Sequence, residues 1–217
     1  VVVEGEGSGN VEQGEDNLVV RALRLALDRV GAPQVGVRMH CTNRIPHSRG
    51  LGSSASAIVA GVTLARALIG DAEVLGRQEI LEIGSQMEGH PDNVAPAVFG
   101  GATVAWMNEE TSEVGSVRLT PPEGISPVAF IPDFELRTAA ARAALPATVP
   151  HGDASFNVAR GALLAAVLSG NAQVSGGVDL HSLLMEATRD RLHQEQRRAA
   201  MEPSLALVAW LRGAGFA

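Results

Sequence analysis

The stretch from Pro46 to Ala57 reads Pro-His-Ser-Arg-Gly-Leu-Gly-Ser-Ser-Ala-Ser-Ala, and an apolar run with helical spacing follows it to about residue 69. Gly50 and Gly52 let the backbone turn tightly and approach a ligand without a side chain in the way. The first N–H groups of a helix have no partner within it, and the helix dipole places partial positive charge at the same end. Phosphate is a natural occupant of such a helix start. The stretch therefore predicts a phosphate-binding loop that leads into a helix.

The loop differs from two widespread phosphate-binding patterns. The Walker pattern ends in Gly-Lys-Ser/Thr, and this chain contains no lysine. The Rossmann pattern requires a third glycine at a set spacing after Gly50 and Gly52. A glycine loop before a serine-capped helix also occurs without a ligand, and this alternative stays open for the loop alone. The hydroxyls of Ser53, Ser54 and Ser56 favour a ligand, because they can bond phosphate oxygens or a metal ion.

A second polar segment, residues 88–93, reads Glu-Gly-His-Pro-Asp-Asn and lies between two predicted apolar helices. Polar groups in such a place are costly unless something uses them. The carboxylate of Glu88 is a candidate ligand for Mg²⁺, which takes oxygen donors. The amide of Asn93 carries both a donor and an acceptor and could orient a hydroxyl. Two alternatives stay open: Glu82 as the metal ligand, or a segment that only caps a helix.

Two arginines in the second half of the chain are candidates for binding a carboxylate, because a guanidinium holds one with two hydrogen bonds. Arg142 lies four residues after Thr138, on the same face of a predicted helix. Arg197 follows the run Asp-Arg-Leu-His-Gln at residues 190–194. Isolated arginines are usually solvated, so the pattern by itself leaves this assignment open.

The composition is that of a globular protein. Of the 217 residues, 46% are hydrophobic and 19% are charged, which argues against disorder. The net charge of −7 argues against general binding to nucleic acid. Cys41 is the single cysteine, so no internal disulfide can form, and no apolar run approaches the roughly 20 residues of a membrane span. These features predict a cytoplasmic protein with neither nucleic-acid nor membrane partners.

Hydrophobic periodicity predicts an α+β protein. Helices are expected at residues 16–30, 53–69, 75–87, 92–98, 139–144, 153–168, 179–191 and 203–212, and strands at 1–5, 35–41, 102–107, 114–119 and 128–131. The stretch 121–124, with two prolines and a glycine, is the expected boundary between domains at 1–124 and 125–217. Because the chain starts inside an expected strand and ends as another begins, we expect an excerpt truncated at both ends.

The loop resembles the second motif of the GHMP small-molecule kinases, written roughly Pro-x-x-x-Gly-Leu-Gly-Ser-Ser-Ala. The matching positions are Pro46, Gly50, Leu51, Gly52, Ser53, Ser54 and Ala55. Residues 88–101, Glu-Gly-His-Pro-Asp-Asn-Val-Ala-Pro-Ala-Val-x-Gly-Gly, resemble the homoserine kinases in particular. Their Thr-x-x-x-Arg and Asp-x-x-His-Gln-x-x-Arg elements match residues 138–142 and 190–197. Residues 195–197 read Glu-Gln-Arg where those kinases often have Pro-Tyr-Arg, so the aromatic neighbour of the arginine is missing.

The resemblance implies a two-domain GHMP kinase fold. The N-terminal domain would be similar to domain 2 of ribosomal protein S5 and the C-terminal domain would be ferredoxin-like, with ATP and the substrate in the cleft between them. The reaction implied is the ATP-dependent phosphorylation of the side-chain hydroxyl of L-homoserine to O-phospho-L-homoserine, on the route to threonine. The cofactors implied are ATP and Mg²⁺, and a homodimer stays open. The alternatives are another GHMP kinase, acting on an isoprenoid or sugar alcohol, and a non-catalytic member that only binds a ligand.

The resemblance also implies roles for individual residues. Ser54 and Glu88 would position Mg²⁺. The substrate would contact Asn93, His90, Thr138, Arg142 and Arg197, of which Asn93, His90 and Arg142 would also be catalytic. The nucleotide would be bound by Pro46, His47, Ser48, Arg49, Gly50, Leu51, Gly52, Ser53, Ser54, Ala55 and Ser56.

The expected mechanism has no protein base. Some members of the family use an aspartate as the base, but this chain has no lysine to partner one. Asp92 is the alternative, although its position suits the first turn of a helix. We therefore expect the substrate hydroxyl to lose its proton directly to the phosphate.

Overall fold

The computed structural model describes residues 1–71, 73–136, 138–174 and 176–217, and the side chains of Thr138 and Ala139 are not among the described atoms. The chain divides into two compact units, Val1–Arg118 and Leu119–Ala217. This division lies a few residues before the predicted domain boundary at residue 124.

The first unit contains both strands and helices. Its elements are β1 (Val2–Gly5), α1 (Leu18–Arg29), β2 (His40–Asn43), α2 (Ser53–Ile69), α3 (Arg77–Glu88), α4 (Val94–Phe99), β3 (Ala102–Met107) and β4 (Val114–Leu119). Strands β1 and β2 pair in parallel across α1, with Val2 opposite His40, and β3 pairs with β4. The mixed α and β content agrees with the periodicity of the sequence.

Helices α1, α2 and α3 enclose the main core of the first unit. Its buried side chains include Leu23, Leu27, Ile58, Val62, Ile80 and Ile83. A second cluster consists of Ala55, Leu81, Val94, Ala95 and Val114. Ala55 belongs to the first turn of α2 and is fully buried, so the second cluster fixes the beginning of α2 against α3 and α4.

The second unit is described as helices and connecting segments. Its helices are α5 (Thr138–Ala143), α6 (His151–Leu168), α7 (Leu180–Ala187) and α8 (Arg198–Gly213), with a short 3₁₀ turn at Glu195–Arg197 before α8. Helix α8 contains Pro203 and is kinked at Met201. Across the described parts of both units, no helix combines the length and apolar character that crossing a membrane requires.

One predicted strand is displaced and another is not found. Residues 35–39 form no strand, because the pairing with β1 involves only residues 40–43. The carbonyl of Val35 instead accepts a hydrogen bond from the guanidinium of Arg24 at 2.6 Å. The predicted strand 128–131 was wrong: the described residues from 120 onward contain no strand, and Val128 and Phe130 are exposed there. A strand needs a paired neighbour.

The predicted helix at 179–191 is shorter than expected. It ends at Ala187, because the carboxylate of Asp190 binds the backbone N–H groups of His193 and Gln194 and turns the chain. Side chains of this kind compete with helix continuation by bonding nearby backbone groups.

Candidate active site

The predicted phosphate loop connects β2 to α2. Ser48, Gly50 and Gly52 adopt positive φ angles of 54°, 74° and 70°. Gly52 caps α2 from the left-handed region, and its carbonyl accepts the N–H of Ser56 at 2.9 Å. In the part of the chain that the structure describes, no side chain caps this helix start. The first N–H groups of α2 therefore have no capping side chain among the described residues, and such groups can donate hydrogen bonds to an anion.

The two predicted metal ligands are in direct contact. Ser54 donates a hydrogen bond from Oγ to Oε1 of Glu88, and both side chains are half-buried. Glu88 is the last residue of α3, where the helix dipole disfavours a negative charge and favours a cation beside it. The described residues contain no group of three or more His, Cys, Asp or Glu side chains that could hold a metal. A hydroxyl and one carboxylate fit Mg²⁺, which is usually bound by one or two carboxylates together with waters and substrate phosphates.

Glu82, the alternative metal ligand, lies in different surroundings. Its carboxylate accepts a hydrogen bond from Gln78 at 3.1 Å, and the same Gln78 amide donates to the carbonyl of Val114 at 2.8 Å. Glu82 is thus held towards β4, whereas Glu88 meets the phosphate loop.

Asn93 also lies at the phosphate loop. A Cβ atom added to Gly52 would be 3.5 Å from Oδ1 of Asn93, so the loop and this amide are neighbours. His90 donates from Nδ1 to Oδ1 of Asp92, and the same oxygen accepts the N–H of Asn93 at 3.1 Å. The Asp92 side chain is 68% exposed, while that of His90 is 18% exposed. Asp92 is therefore occupied with holding the turn and His90.

Asn43 supports the loop, and the sequence analysis missed it. Its Nδ2 donates to the carbonyls of Glu6 and Ile45, both at 3.1 Å, and lies 3.5 Å from Oγ of Ser53. Its Oδ1 accepts the N–H of Ile45 at 3.0 Å. Asparagine side chains commonly bond the backbone two residues on, so the residue type was the signal available in the sequence.

A glycine-rich segment after β1 was also missed. Gly5, Gly7 and Gly9 all have positive φ. The position of a Cβ on Gly7 is taken by the ring of His47, so the two glycine loops pack directly on each other. His47 belongs to the predicted nucleotide-binding loop, so the segment of residues 5–9 lies beside that loop.

A cavity of about 1030 Å³ opens beside the loop in the first unit. From the loop and the start of α2, His47, Ser53, Ser54 and Ser56 line the cavity. Residues of α1, of the segment before it, including Asn17, and of β2 also line the cavity. The volume lies at the upper end of the range of pockets that bind small molecules.

The predicted substrate arginines belong to the second unit. Arg142 is exposed on α5, and Arg197 is half-buried and donates from Nε to the carbonyl of Ala141 at 3.2 Å. This hydrogen bond joins Arg197 to the residue that precedes Arg142. Among the described residues, neither guanidinium has a carboxylate within ion-pairing distance. Thr138 begins α5, but its side chain lies outside the described part of the chain.

Comparison with known proteins finds a family and several relatives that the chain resembles. The family "GHMP kinases N terminal domain" matches residues 17–101, which include both predicted motifs of the first unit. The chain is 44% identical over 214 residues to the homoserine kinase of Streptomyces coelicolor, covering 98% of this chain and 66% of that protein. It is 43% identical over 222 residues to the homoserine kinase of Corynebacterium urealyticum, covering 100% of this chain and 68% of that protein.

A solved structure has the same fold. The crystal structure of homoserine kinase from Cytophaga hutchinsonii matches with a TM-score of 0.73 at 23% identity, over 92% of this chain and 61% of that one. The chain spans about two thirds of the length of the curated relatives it matches. These matches confirm the resemblance to the GHMP kinases. The chain belongs to the homoserine kinase family.

Proposed function

We propose that the protein phosphorylates the side-chain hydroxyl of L-homoserine with ATP, giving O-phospho-L-homoserine and ADP. The observation that carries this proposal is the hydrogen bond from Ser54 to Glu88, which brings a carboxylate to the start of α2. The curated relatives that the chain matches are named homoserine kinases. Phosphoryl transfer requires mainly alignment and charge neutralisation. The first unit offers groups for both tasks.

The start of α2 is proposed to hold the phosphates of ATP. Its free N–H groups and helix dipole supply positive potential, and the adjoining cavity of about 1030 Å³ has room for the rest of a nucleotide. Ser54 and Glu88 would hold Mg²⁺, which when bound neutralises charge on the phosphate oxygens. Mg²⁺ and ATP are thus the proposed cofactors.

Asn93 and His90 are proposed to position the substrate hydroxyl. The amide of Asn93 beside Gly52 can accept from or donate to a hydroxyl at the edge of the phosphate loop. His90 is held by Asp92, which leaves that carboxylate engaged and mostly exposed rather than poised as a base. We propose that the hydroxyl proton passes directly to the transferred phosphate as the new O–P bond forms and ADP leaves.

Arg142 and Arg197 are proposed to bind the carboxylate of homoserine, with Thr138 beside Arg142. The support is that neither arginine has a carboxylate partner among the described residues, and that the bond from Arg197 to the carbonyl of Ala141 holds its side chain at α5. Two guanidiniums suit a carboxylate because each can donate two parallel hydrogen bonds.

The domain architecture of the family is proposed as well. Residues 1–124 would form the domain similar to domain 2 of ribosomal protein S5, and residues 125–217 the ferredoxin-like domain. The two compact units and the likeness to a solved homoserine kinase support this division.

The test is an ADP-release assay on the full-length protein with homoserine, mevalonate, galactose or no acceptor. We expect ADP release that depends on homoserine and Mg²⁺. Release with mevalonate or galactose instead would favour another GHMP kinase. Nucleotide binding without release for any acceptor would favour a non-catalytic member.

A further inference from the structure

One carboxylate organises the turn between α7 and the 3₁₀ turn that carries Arg197. Oδ2 of Asp190 accepts the backbone N–H groups of His193 at 2.8 Å and Gln194 at 2.7 Å. Oδ1 accepts Nδ1 of His193 at 3.0 Å and Nδ2 of Asn157 at 2.7 Å. The Asp190 side chain is only 13% exposed. Because four donors bind this one nearly buried carboxylate, the backbone of the turn is held in one conformation.

Asn157 fixes this turn to α6. Its Nδ2 donates to Asp190, and its Oδ1 accepts the N–H of Arg191 at 2.9 Å. Both ends of the amide are therefore used, and each bond reaches across more than thirty positions of the sequence. Helix α6 is eighteen residues long and gives the turn a rigid support.

Arg197 extends directly from the residues that Asp190 holds. Its backbone N–H is shared between the carbonyls of His193 and Gln194, each at 3.2 Å. Its guanidinium then reaches the carbonyl of Ala141 through Nε. A continuous set of hydrogen bonds thus runs from α6 through Asp190 and the 3₁₀ turn to Arg197 and α5.

We infer that Asn157 and Asp190 are positioning residues for Arg197, fixing where its guanidinium meets the substrate carboxylate. The inference rests on the proposed function, because it gives Arg197 the substrate carboxylate as its partner. Asn157 and Asp190 touch neither substrate nor nucleotide in this scheme. They act by keeping the 3₁₀ turn docked on α6.

The test exchanges the two side chains in the full-length protein. Asn157→Asp sets a second carboxylate against Asp190, and Asp190→Asn removes the charge and one acceptor oxygen. Each single change should raise the KM for homoserine by about tenfold, with the KM for ATP changed by less than about twofold. The double variant N157D/D190N restores an amide facing a carboxylate and should recover several-fold of that loss. Asp179→Asn is the matched control, because Asp179 caps α7 through the N–H of Ser182 and has no link to Arg197.

The outcomes separate the inference from the proposed function. If Arg197→Ala leaves the KM for homoserine unchanged, the carboxylate-binding role of Arg197 fails, and the inference fails with it. If Arg197→Ala raises that KM but the exchanged pair does not, only the inference is overturned. An equal rise of both KM values, without rescue in the double variant, would mean that the pair merely stabilises the unit. Should either single variant fail to fold by circular dichroism, Asn157→Ser, which keeps an acceptor for the N–H of Arg191, is measured against the same criteria.

Discussion

Ser54, in the first turn of α2, donates a hydrogen bond to Glu88, the last residue of α3. The two residues are thirty-four positions apart in the chain. Their contact brings the positive end of one helix to a carboxylate at the negative end of another. A cation beside Glu88 would relieve the unfavourable position of that carboxylate, which gives the pair a physical reason to bind a metal.

The first prediction concerns this carboxylate. Glu88→Gln keeps the size and the acceptor for Ser54 but removes the charge, so turnover should fall by about 10²–10³-fold. Homoserine affinity should be largely retained, and the Mg²⁺ concentration for half-maximal rate should rise. Steady-state kinetics across a Mg²⁺ titration measures both effects. Glu82→Gln, on the same helix, is the control and should behave like the parent; the reverse pattern would make Glu82 the metal ligand.

The second prediction concerns the phosphate loop. Gly52→Val places a branched side chain at φ 70° beside Asn93, where phosphate is proposed to lie, and should weaken ATP binding by at least about tenfold. Gly70→Val is a matched control, because Gly70 ends the same helix at φ 75° with no atom within 4 Å of its Cβ position among the described residues. It suffers similar backbone strain far from the loop. Calorimetric ATP titration of both variants, after thermal unfolding curves, separates the two effects; equal affinities would remove the loop from the nucleotide site.

The third prediction concerns Arg142. A charged hydrogen bond to a carboxylate contributes roughly 1.5–3 kcal/mol, so Arg142→Ala should raise the KM for homoserine by at least about tenfold. Arg142→Lys should recover only part of this, because an ammonium cannot make the paired contact. Arg198→Ala is the control, since Arg198 already pairs with Glu195 and Glu202. Kinetics with ATP and with homoserine varied in turn would contradict the assignment if both KM values rose together.

The sequence predicted the local elements better than the contacts between them. The loop, α2 and the β3–β4 pair follow from glycine placement and periodicity, which are read over a few residues. The strand expected at 35–41 was displaced because its position depends on which residues β1 can pair with, and periodicity does not report that. Asn43 and Asn157 were not assigned roles because their partners, Glu6 and Asp190, lie thirty-seven and thirty-three positions away.

The fourth prediction is a pH dependence set by Asp190. Burial alone would raise the pKa of this carboxyl, but the hydrogen bonds from its four donors outweigh burial and hold the pKa well below its usual range. A carboxyl with a lowered folded-state pKa stabilises the protein above its unfolded pKa, about 3.9, and loses that contribution as the pH falls towards the folded value. Asp190→Asn should therefore lower the urea midpoint at neutral pH, and the deficit should shrink below about pH 4.

Fluorescence of Trp210, in a background of Trp106→Phe, reports on the second unit in this experiment, because the chain has only these two tryptophans. A deficit of the same size at neutral and acid pH would mean that the charge of Asp190 contributes nothing and that only its shape matters.

The last prediction tests the packing beneath the loop. A Cβ on Gly61 of α2 would lie 2.7 Å from the Cβ of Ala22 and 3.0 Å from the N of Leu23, both in α1. Gly61→Ala gains helix propensity of about 1 kcal/mol, but forcing the helices apart costs typically about 1–3 kcal/mol, so the first unit should lose stability. Gly161 is also inside a helix, α6, but none of the described atoms lies within 4 Å of its Cβ position. Gly161→Ala should therefore stabilise the second unit by roughly 0.5–1 kcal/mol. Urea unfolding measures both changes, followed through Trp106 in a Trp210→Phe background for the first and through Trp210 in a Trp106→Phe background for the second. A stabilised Gly61→Ala protein would mean that α1 and α2 do not approach this closely in solution.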